Sequence, residues 1–317
     1  MRVDPALVQI LEDGVVTRLW SQAGGLTQFG AHIQTLPPGA QSSERHWHSV
    51  EDEFLLVLAG QATVVDDAGP RVLGPGDAVG WRFGEANGHH VLNHGAGPVS
   101  FVIVGSRVAG DICTYPDSGT RQIHGPTDWQ VMNAAGQVLR GGALPPELLG
   151  LPENWGVLAE AGSQRYLPEA TRVWTDEPDV AHPVLGQSLG QWRHGVLGDA
   201  AGLSQFGAYL DELPPGSQSS LRHWHETEDE MVLVLKGEVV LVEDSETVLH
   251  SGDVACWPAG LAVGHCLCNR SAAPVQYLVI GTRHARDRVH YPDHDAILEK
   301  VGTTRLWYHA DGRDRSV

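Results

Sequence analysis

Arg45-His46-Trp47-His48-Ser49-Val50-Glu51-Asp52-Glu53 returns later in the chain as Arg222-His223-Trp224-His225-Glu226-Thr227-Glu228-Asp229-Glu230. Side chains alternate along a β-strand, so the two histidines of each His-x-His pair fall on one face. A carboxylate a few residues later reaches that face from the next strand. Three donors of a metal site are therefore written twice. Each block runs into an apolar stretch, a glycine and a second apolar stretch: residues 54–58, Gly60 and 62–65 in one copy, residues 231–235, Gly237 and 239–242 in the other. That pattern reads as strand, turn, strand.

The repeat extends well beyond this block. Gly25-Leu26-Thr27-Gln28-Phe29-Gly30-Ala31 returns as Gly202-Leu203-Ser204-Gln205-Phe206-Gly207-Ala208, an offset of 177 residues. After one deletion the offset is 176, and it holds through His89 and His265, Asn93 and Asn269, and Tyr115 and Tyr291. A match of about 90 residues is a duplicated domain, longer than the unit of a short solenoid repeat. Short strands with Pro and Gly punctuation predict an all-β chain of sandwiches or small barrels. The expected division is an N-terminal domain over 1–136, a connector over 137–190 and a C-terminal domain over 191–317. Within the connector, Pro145-Pro146-Glu147-Leu148-Leu149 predicts a short helical turn. Trp155, Tyr166 and Trp174 call for burial, which favours an ordered connector over a loose linker.

Length and composition bound the rest. At 317 residues with 42% hydrophobic and 19% charged residues, the chain has enough apolar content for two cores. A net charge of −18 argues against nucleic acid and anionic membrane surfaces as partners. No apolar run approaches the roughly 20 residues of a membrane span, and the first residues lack a secretory apolar core. A cytoplasmic location is expected. Cys113, Cys256, Cys266 and Cys268 are too few and too uneven for a disulfide framework, and Cys266 and Cys268 share a strand face as free thiols.

The order Gly216, His223-x-His225, Glu230, Gly237, then Gly252, Pro258, Gly260, His265 and Asn269 resembles the two motifs of the cupin superfamily. Both copies carry it, so the chain looks like a bicupin, most similar to small cupins of unassigned activity with RHWHxxEDE and YPD motifs. The resemblance implies two tandem double-stranded β-helix (jelly-roll) barrels with a short helical or irregular connector. It also implies a divalent transition metal (Fe, Mn, Ni, Zn, Co or Cu), up to one per domain. The implied ligands are His46, His48, Glu53 and His89 in the first copy, and His223, His225, Glu230 and His265 in the second. Glu51 and Glu228 share strand parity with the ligand carboxylates and remain alternatives. Asp52 and Asp229 are expected to face outward into solvent. The first copy departs from the motif at Arg82-Phe83, where the second has Pro258-Ala259, so the second is favoured if only one site turns over.

Around the sites, Asn93 and Asn269 either bind a ligand or close a strand. Arg107 and Tyr115, with Arg283 and Tyr291, are candidate substrate-binding residues at the barrel mouth; a structural clamp between Arg107 or Arg283 and the aspartates Asp117 or Asp293 is the alternative. No catalytic acid or base stands out. A divalent ion beside one carboxylate leaves a charge of about +1, which favours an anionic or enolisable small molecule. Phe54, Trp81, Phe83, Phe101 and Trp257 make the expected surroundings apolar. The expected activity is that of a dioxygenase-type oxidoreductase on a small organic molecule. The alternatives are a decarboxylase-like lyase or an isomerase, and a non-catalytic metal-binding or small-molecule-binding cupin. Both a monomer with an internal pseudo-dimer and a homo-oligomer are compatible with two barrels in one chain.

Overall fold

The computed structural model describes residues 1–152, 164–179 and 181–315; Trp155 lies outside them. Strand Glu53–Ala59 shows how the chain sorts its side chains. Leu55 and Val57 point into the N-terminal barrel with Leu36, Val64, Val79, Val91 and Phe101. Phe54 and Leu56, on the opposite face, enter a second core with Phe206, Leu210, Met231 and Leu233 of the other half. Strand Glu230–Lys236 mirrors this, with Val232 and Val234 in the C-terminal barrel and its alternate residues in the shared core. The strands are apolar throughout because both faces are covered.

Each half is a jelly roll of antiparallel sheets. In the first, Phe29–Leu36, Val99–Ser106, Glu53–Ala59 and Ala78–Trp81 lie side by side in the largest sheet. The barrel is completed by Trp47–His48 with Ile112–Tyr115 and by Ala62–Asp66 with His90–Leu92. Phe206–Leu213, Val275–Thr282, Glu230–Lys236 and Val254–Trp257 repeat the order in the second. The residues between the copies are shared out. Val138–Ala143 pairs with Asp128–Met132, so a hairpin crosses the position expected to open the connector. Tyr166–Leu167 extends the first barrel's sheet and Thr175–Glu177 the second's. Tyr166 Oη donates to Asp66 at 2.8 Å, Arg193 lies 4.6 Å over the Trp174 ring, and Pro146–Leu148 forms the expected turn. Among the described residues no helix is long and apolar enough to cross a membrane.

The expectation that Asp52 and Asp229 are solvated is corrected here. Both are fully buried. Asp52 Oδ2 accepts the backbone N–H groups of Ser204 and Gln205 at 2.7 and 2.9 Å, and its Oδ1 accepts that of Phe83 at 2.9 Å. Asp229 does the same with Thr27, Gln28 and Ala259 at 2.7, 2.8 and 2.7 Å. Alternation does turn these side chains away from the barrel interior, but the face they enter is the junction with the other barrel. The repeated Gly-Leu-(Thr or Ser)-Gln-Phe-Gly-Ala segment is thus a reciprocal docking element. Only a backbone N–H is needed at 83 and 259, which is why Phe83 and Ala259 are interchangeable there. The junction is also fitted asymmetrically: a Cβ on Gly24 would lie 2.4 Å from Cys256, and one on Gly80 would lie 2.6 Å from Ala201. Gly24 and Ala201 are equivalent positions in the two copies, as are Gly80 and Cys256. One contact therefore pairs glycine with a thiol and the other pairs it with a methyl group.

Candidate metal centres

Strand pairing assembles each quartet. His46 and His89 exchange backbone hydrogen bonds of 3.1 and 2.9 Å, which puts the two rings side by side. His48 sits two residues along on the same face, and Glu53 enters from the largest sheet with the parity of Leu55 and Val57. Glu53 Oε2 lies 2.8 Å from His89 Nε2 and 3.8 Å from His48 Nε2, and His46, Glu53 and His89 place donor atoms within 4.8 Å of one another. In the C-terminal barrel Glu230 Oε2 lies 3.3, 3.7 and 3.9 Å from the Nε2 atoms of His265, His225 and His223.

The other ring nitrogens are already engaged. The Nδ1 atoms of His46 and His89 lie 2.9 and 3.2 Å from the carbonyl oxygens of Glu44 and Asn87. Those of His223 and His265 lie 2.9 and 3.2 Å from Leu221 and Val263. An acceptor behind Nδ1 fixes the tautomer with a lone pair on Nε2, the state a metal requires. Trp81 stacks on His89 at 3.9 Å and Trp257 on His265 at 3.8 Å, which locks the rings in plane. Burial alone would raise Glu53, yet His48, His89 and His46 hold its carboxyl well below the usual range. Burial resists charge on His48, but Glu53 and Asp111 outweigh it and bring the imidazole up to about 10. Burial and two neighbouring imidazoles push His223 down to about 3. Three inward Nε2 atoms around one ionised carboxylate, with their backs tied, fit a divalent transition metal.

Behind the third histidine of each barrel stands an aspartate that sequence reasoning missed. Asp111 Oδ2 lies 2.6 Å from His48 Nδ1, and Asp287 Oδ2 lies 2.7 Å from His225 Nδ1. Both aspartates are fully buried and accept further N–H and hydroxyl bonds from Ser49 and Val50, or from Thr227. The repeat contained the signal, since 111 and 287 keep the offset of 176. Glu51 and Glu228, the alternative ligands, lie on this outer side, 3.7 and 3.5 Å from the same Nδ1 atoms, and they accept from Val108 N and His284 N. Lys300 pairs with Glu228 and lies 3.2 Å from Asp287. The equivalent residue in the first barrel is His124. Cys113 brings a thiol within 4.8 Å of the His46 and His48 donors, where the second barrel has Val289.

A cavity of about 540 Å³ reaches the N-terminal quartet at His48 and Glu53. Its walls include His32, Glu51, Arg107 and His124, with Ile103, Val108, Leu144, Leu148 and Leu151 on the apolar side. Of the substrate-binding candidates, Arg107 lies in this wall and donates to the Leu26 carbonyl at 3.1 Å. Arg283 is committed elsewhere, paired with Asp199 and donating to Tyr209 Oη at 2.7 Å. Tyr115 and Tyr291 sit beside His46 and His223 with ring centroids 5.9 and 6.0 Å away. The anticipated clamp on the Tyr-Pro-Asp segments uses different arginines: Arg45 meets Asp117 at 2.8 and 3.1 Å, and Arg222 lies 3.6 Å from Asp293. Asn93 and Asn269 close strands, donating to the carbonyls of Leu36 and Gly97, and of Leu213 and Ala273. Of the expected apolar surroundings, Trp81 and Trp257 stand against the ligand candidates His89 and His265, whereas Phe54 faces the other barrel and Phe101 is in the core.

Residues 32–105 and 209–281 each match the cupin domain family. This chain belongs to the cupin superfamily and is a bicupin. Oxalate decarboxylase of Lactobacillus farciminis, solved with formate, superposes with a TM-score of 0.54 at 17% identity over 90% of this chain and 86% of that one. A salicylate 1,2-dioxygenase variant of Pseudoaminobacter salicylatoxidans gives 0.52 at 13% identity, over 82% and 73%. A structure from Silicibacter pomeroyi described as a sugar phosphate isomerase from a cupin superfamily is 36% identical, over 47% of this chain and 94% of its own, with a TM-score of 0.43. No curated protein matches the chain.

Proposed function

We propose that this protein is a metal-dependent enzyme working from its N-terminal barrel, a dioxygenase-type oxidoreductase acting on a small organic molecule with an anionic end. The carrying observation is the cavity of about 540 Å³ that meets the quartet at His48 and Glu53. This reading places turnover in the first copy, where the intact motif alone favours the second. His46, His48, Glu53 and His89 would hold a divalent transition metal, which supplies Lewis acidity and, for a redox-active ion, a site for dioxygen. Arg107 contributes fixed positive charge in the cavity wall and favours a carboxylate or enolate end. Burial and Arg107 push His32 down to about 4, so it presents a neutral imidazole to the substrate. Ile103, Leu144, Leu148 and Leu151 suit an apolar or planar body.

The test is oxygen uptake by iron-loaded protein against a panel of phenols, hydroxybenzoates and diketones. Uptake that stops in His46→Ala with His48→Ala, and survives His223→Ala with His225→Ala, supports the reading. Turnover of oxalate or of an aldose without oxygen uptake would replace it with the lyase or isomerase reading. No turnover of any class, with metal bound, would leave a binding protein.

A further inference from the structure

The quartets match between the barrels, but the charges behind His48 and His225 do not. Each barrel sets two carboxylates there. Glu228 and Asp287 lie 3.5 and 2.7 Å from His225 Nδ1, and Glu51 and Asp111 lie 3.7 and 2.6 Å from His48 Nδ1. Their backbone contacts are duplicated as well, since Glu228 accepts the N–H of His284 at 3.1 Å and Glu51 that of Val108 at 3.0 Å. In the C-terminal barrel the Lys300 ammonium completes the arrangement, paired with Glu228 Oε2 and 3.2 Å from Asp287 Oδ2. In the N-terminal barrel the equivalent residue is His124, whose Nε2 accepts from the Gln122 amide at 2.9 Å. Among the described residues no lysine or arginine forms an ion pair with Glu51 or Asp111.

Two carboxylates packed against one imidazole repel each other unless a cation stands beside them. The C-terminal barrel supplies that cation from its own chain. The N-terminal barrel has a cavity at the same place, with Glu51 and His124 in its wall. We infer that the molecule bound in this cavity carries an aliphatic ammonium group, seated on Glu51 with Asp111 behind it, in the place that Lys300 fills in the other barrel. This deepens the reading above and rests on it for the anionic end at Arg107; together the two ends make the substrate a zwitterion of amino acid type. A second metal ion suits the place less well. With Nε2 turned to the inner centre, His48 Nδ1 gives its proton to Asp111. A metal would then be left with carboxylate oxygens from two side chains, fewer than a hard divalent ion gathers. Those oxygens are enough for an ammonium, as Lys300 shows, and a cavity of about 540 Å³ admits an organic body behind the charge.

The experiment is calorimetric titration of the zinc-loaded full chain with n-butylammonium, with 1-butanol as the uncharged control and zinc content followed throughout. The variants are Glu51→Gln, which keeps an acceptor for the Val108 N–H and removes the charge, and His124→Lys, which brings the C-terminal barrel's cation into the N-terminal one. Binding of butylammonium that weakens by about ten- to a hundredfold in each variant, with 1-butanol bound far more weakly than the amine, is expected. Equal binding in both variants would put the amine on the zinc or on the acidic surface and overturn the site. So would no binding to the wild type, or extra zinc that only Glu51→Gln releases, which would make the place a metal site. Melting temperatures show whether the variants are intact. If neither is, Lys300→Ala decides: removing that ammonium should add a second butylammonium per chain, and an unchanged stoichiometry overturns the proposal. Oxygen uptake separates this site from the activity. Butylammonium binding in a protein that consumes no oxygen keeps the ammonium site and removes the oxygenase reading. Uptake with an amine-free hydroxybenzoate that Glu51→Gln leaves unchanged keeps the oxygenase and overturns the ammonium site.

Discussion

The two barrels hold the same four donor positions but open on opposite sides of them. In the N-terminal barrel, space lies on the outer side, by His48, Glu51 and Glu53, where His32 and His124 are the wall residues. In the C-terminal barrel the equivalent positions are Tyr209 and Lys300. Tyr209 accepts from Arg283, and Lys300 pairs with Glu228, so larger side chains tie that side together. Its own space lies inward, where Val232 and Val279 leave room and Tyr277 and Asp211 line it. Duplication kept the donor residues and let their surroundings diverge. A quartet is therefore a poor guide to which barrel works, and the residues one layer out are a better one.

The strongest way to break this contrast is to exchange those outer residues. His32→Tyr with His124→Lys gives the N-terminal barrel the C-terminal wall, and turnover should fall by a hundredfold or more while bound metal is retained. Activity assays paired with elemental analysis check this; loss of metal together with activity would refute the filling argument. Next in size is the junction. Asp52→Ala strands three backbone donors and should lower unfolding stability by about 3 kcal/mol, as should Asp229→Ala. Urea unfolding of the two variants measures it, and a change within about 0.5 kcal/mol would mean the carboxylates behave as surface groups.

A third prediction uses pH. Burial holds the Asp211 proton in the folded state up to about 7, well above the ordinary carboxyl value of 3.8. Between those values the folded chain binds more protons, so stability falls as pH rises through the window. From pH 5 to pH 8 this carboxyl alone should remove about 2 kcal/mol in metal-free protein, and Asp211→Asn should abolish that share of the slope. The first barrel, with Gln34 at this position, contributes nothing comparable there. The smallest effect concerns the histidine supports. Asp111→Asn and Asp287→Asn should each weaken metal retention by roughly tenfold, read by competition with a chelator. Lys300→Met should alter only the C-terminal centre.

Much of this architecture is written in the linear pattern. Period-two alternation, glycine-bounded turns and a long repeat mark two β-barrels, and the spacing His46, His48, Glu53, His89 with its second copy marks the quartets. These signals are local or periodic, and strand pairing converts them directly into position. Asp52 shows where local reading fails. Parity says that it leaves the barrel interior, but parity is silent on whether the face it enters meets water or another domain. Arg283 and Arg107 fail in the same way, being equivalent in the repeat and yet distinguished by Asp199 and Tyr209, which are remote in sequence or chemically unremarkable.

The sequence alone therefore determined the fold, its duplication and the side chains that meet at each centre, because alternation along paired strands fixes facing. Only the tertiary structure decided that Asp52 and Asp229 join the barrels, that Asp111 and Asp287 stand behind the third histidines, and which side of each quartet is open. Those features depend on volumes and hydrogen-bond partners contributed by distant segments, and no periodicity within a strand encodes the space that another strand leaves empty.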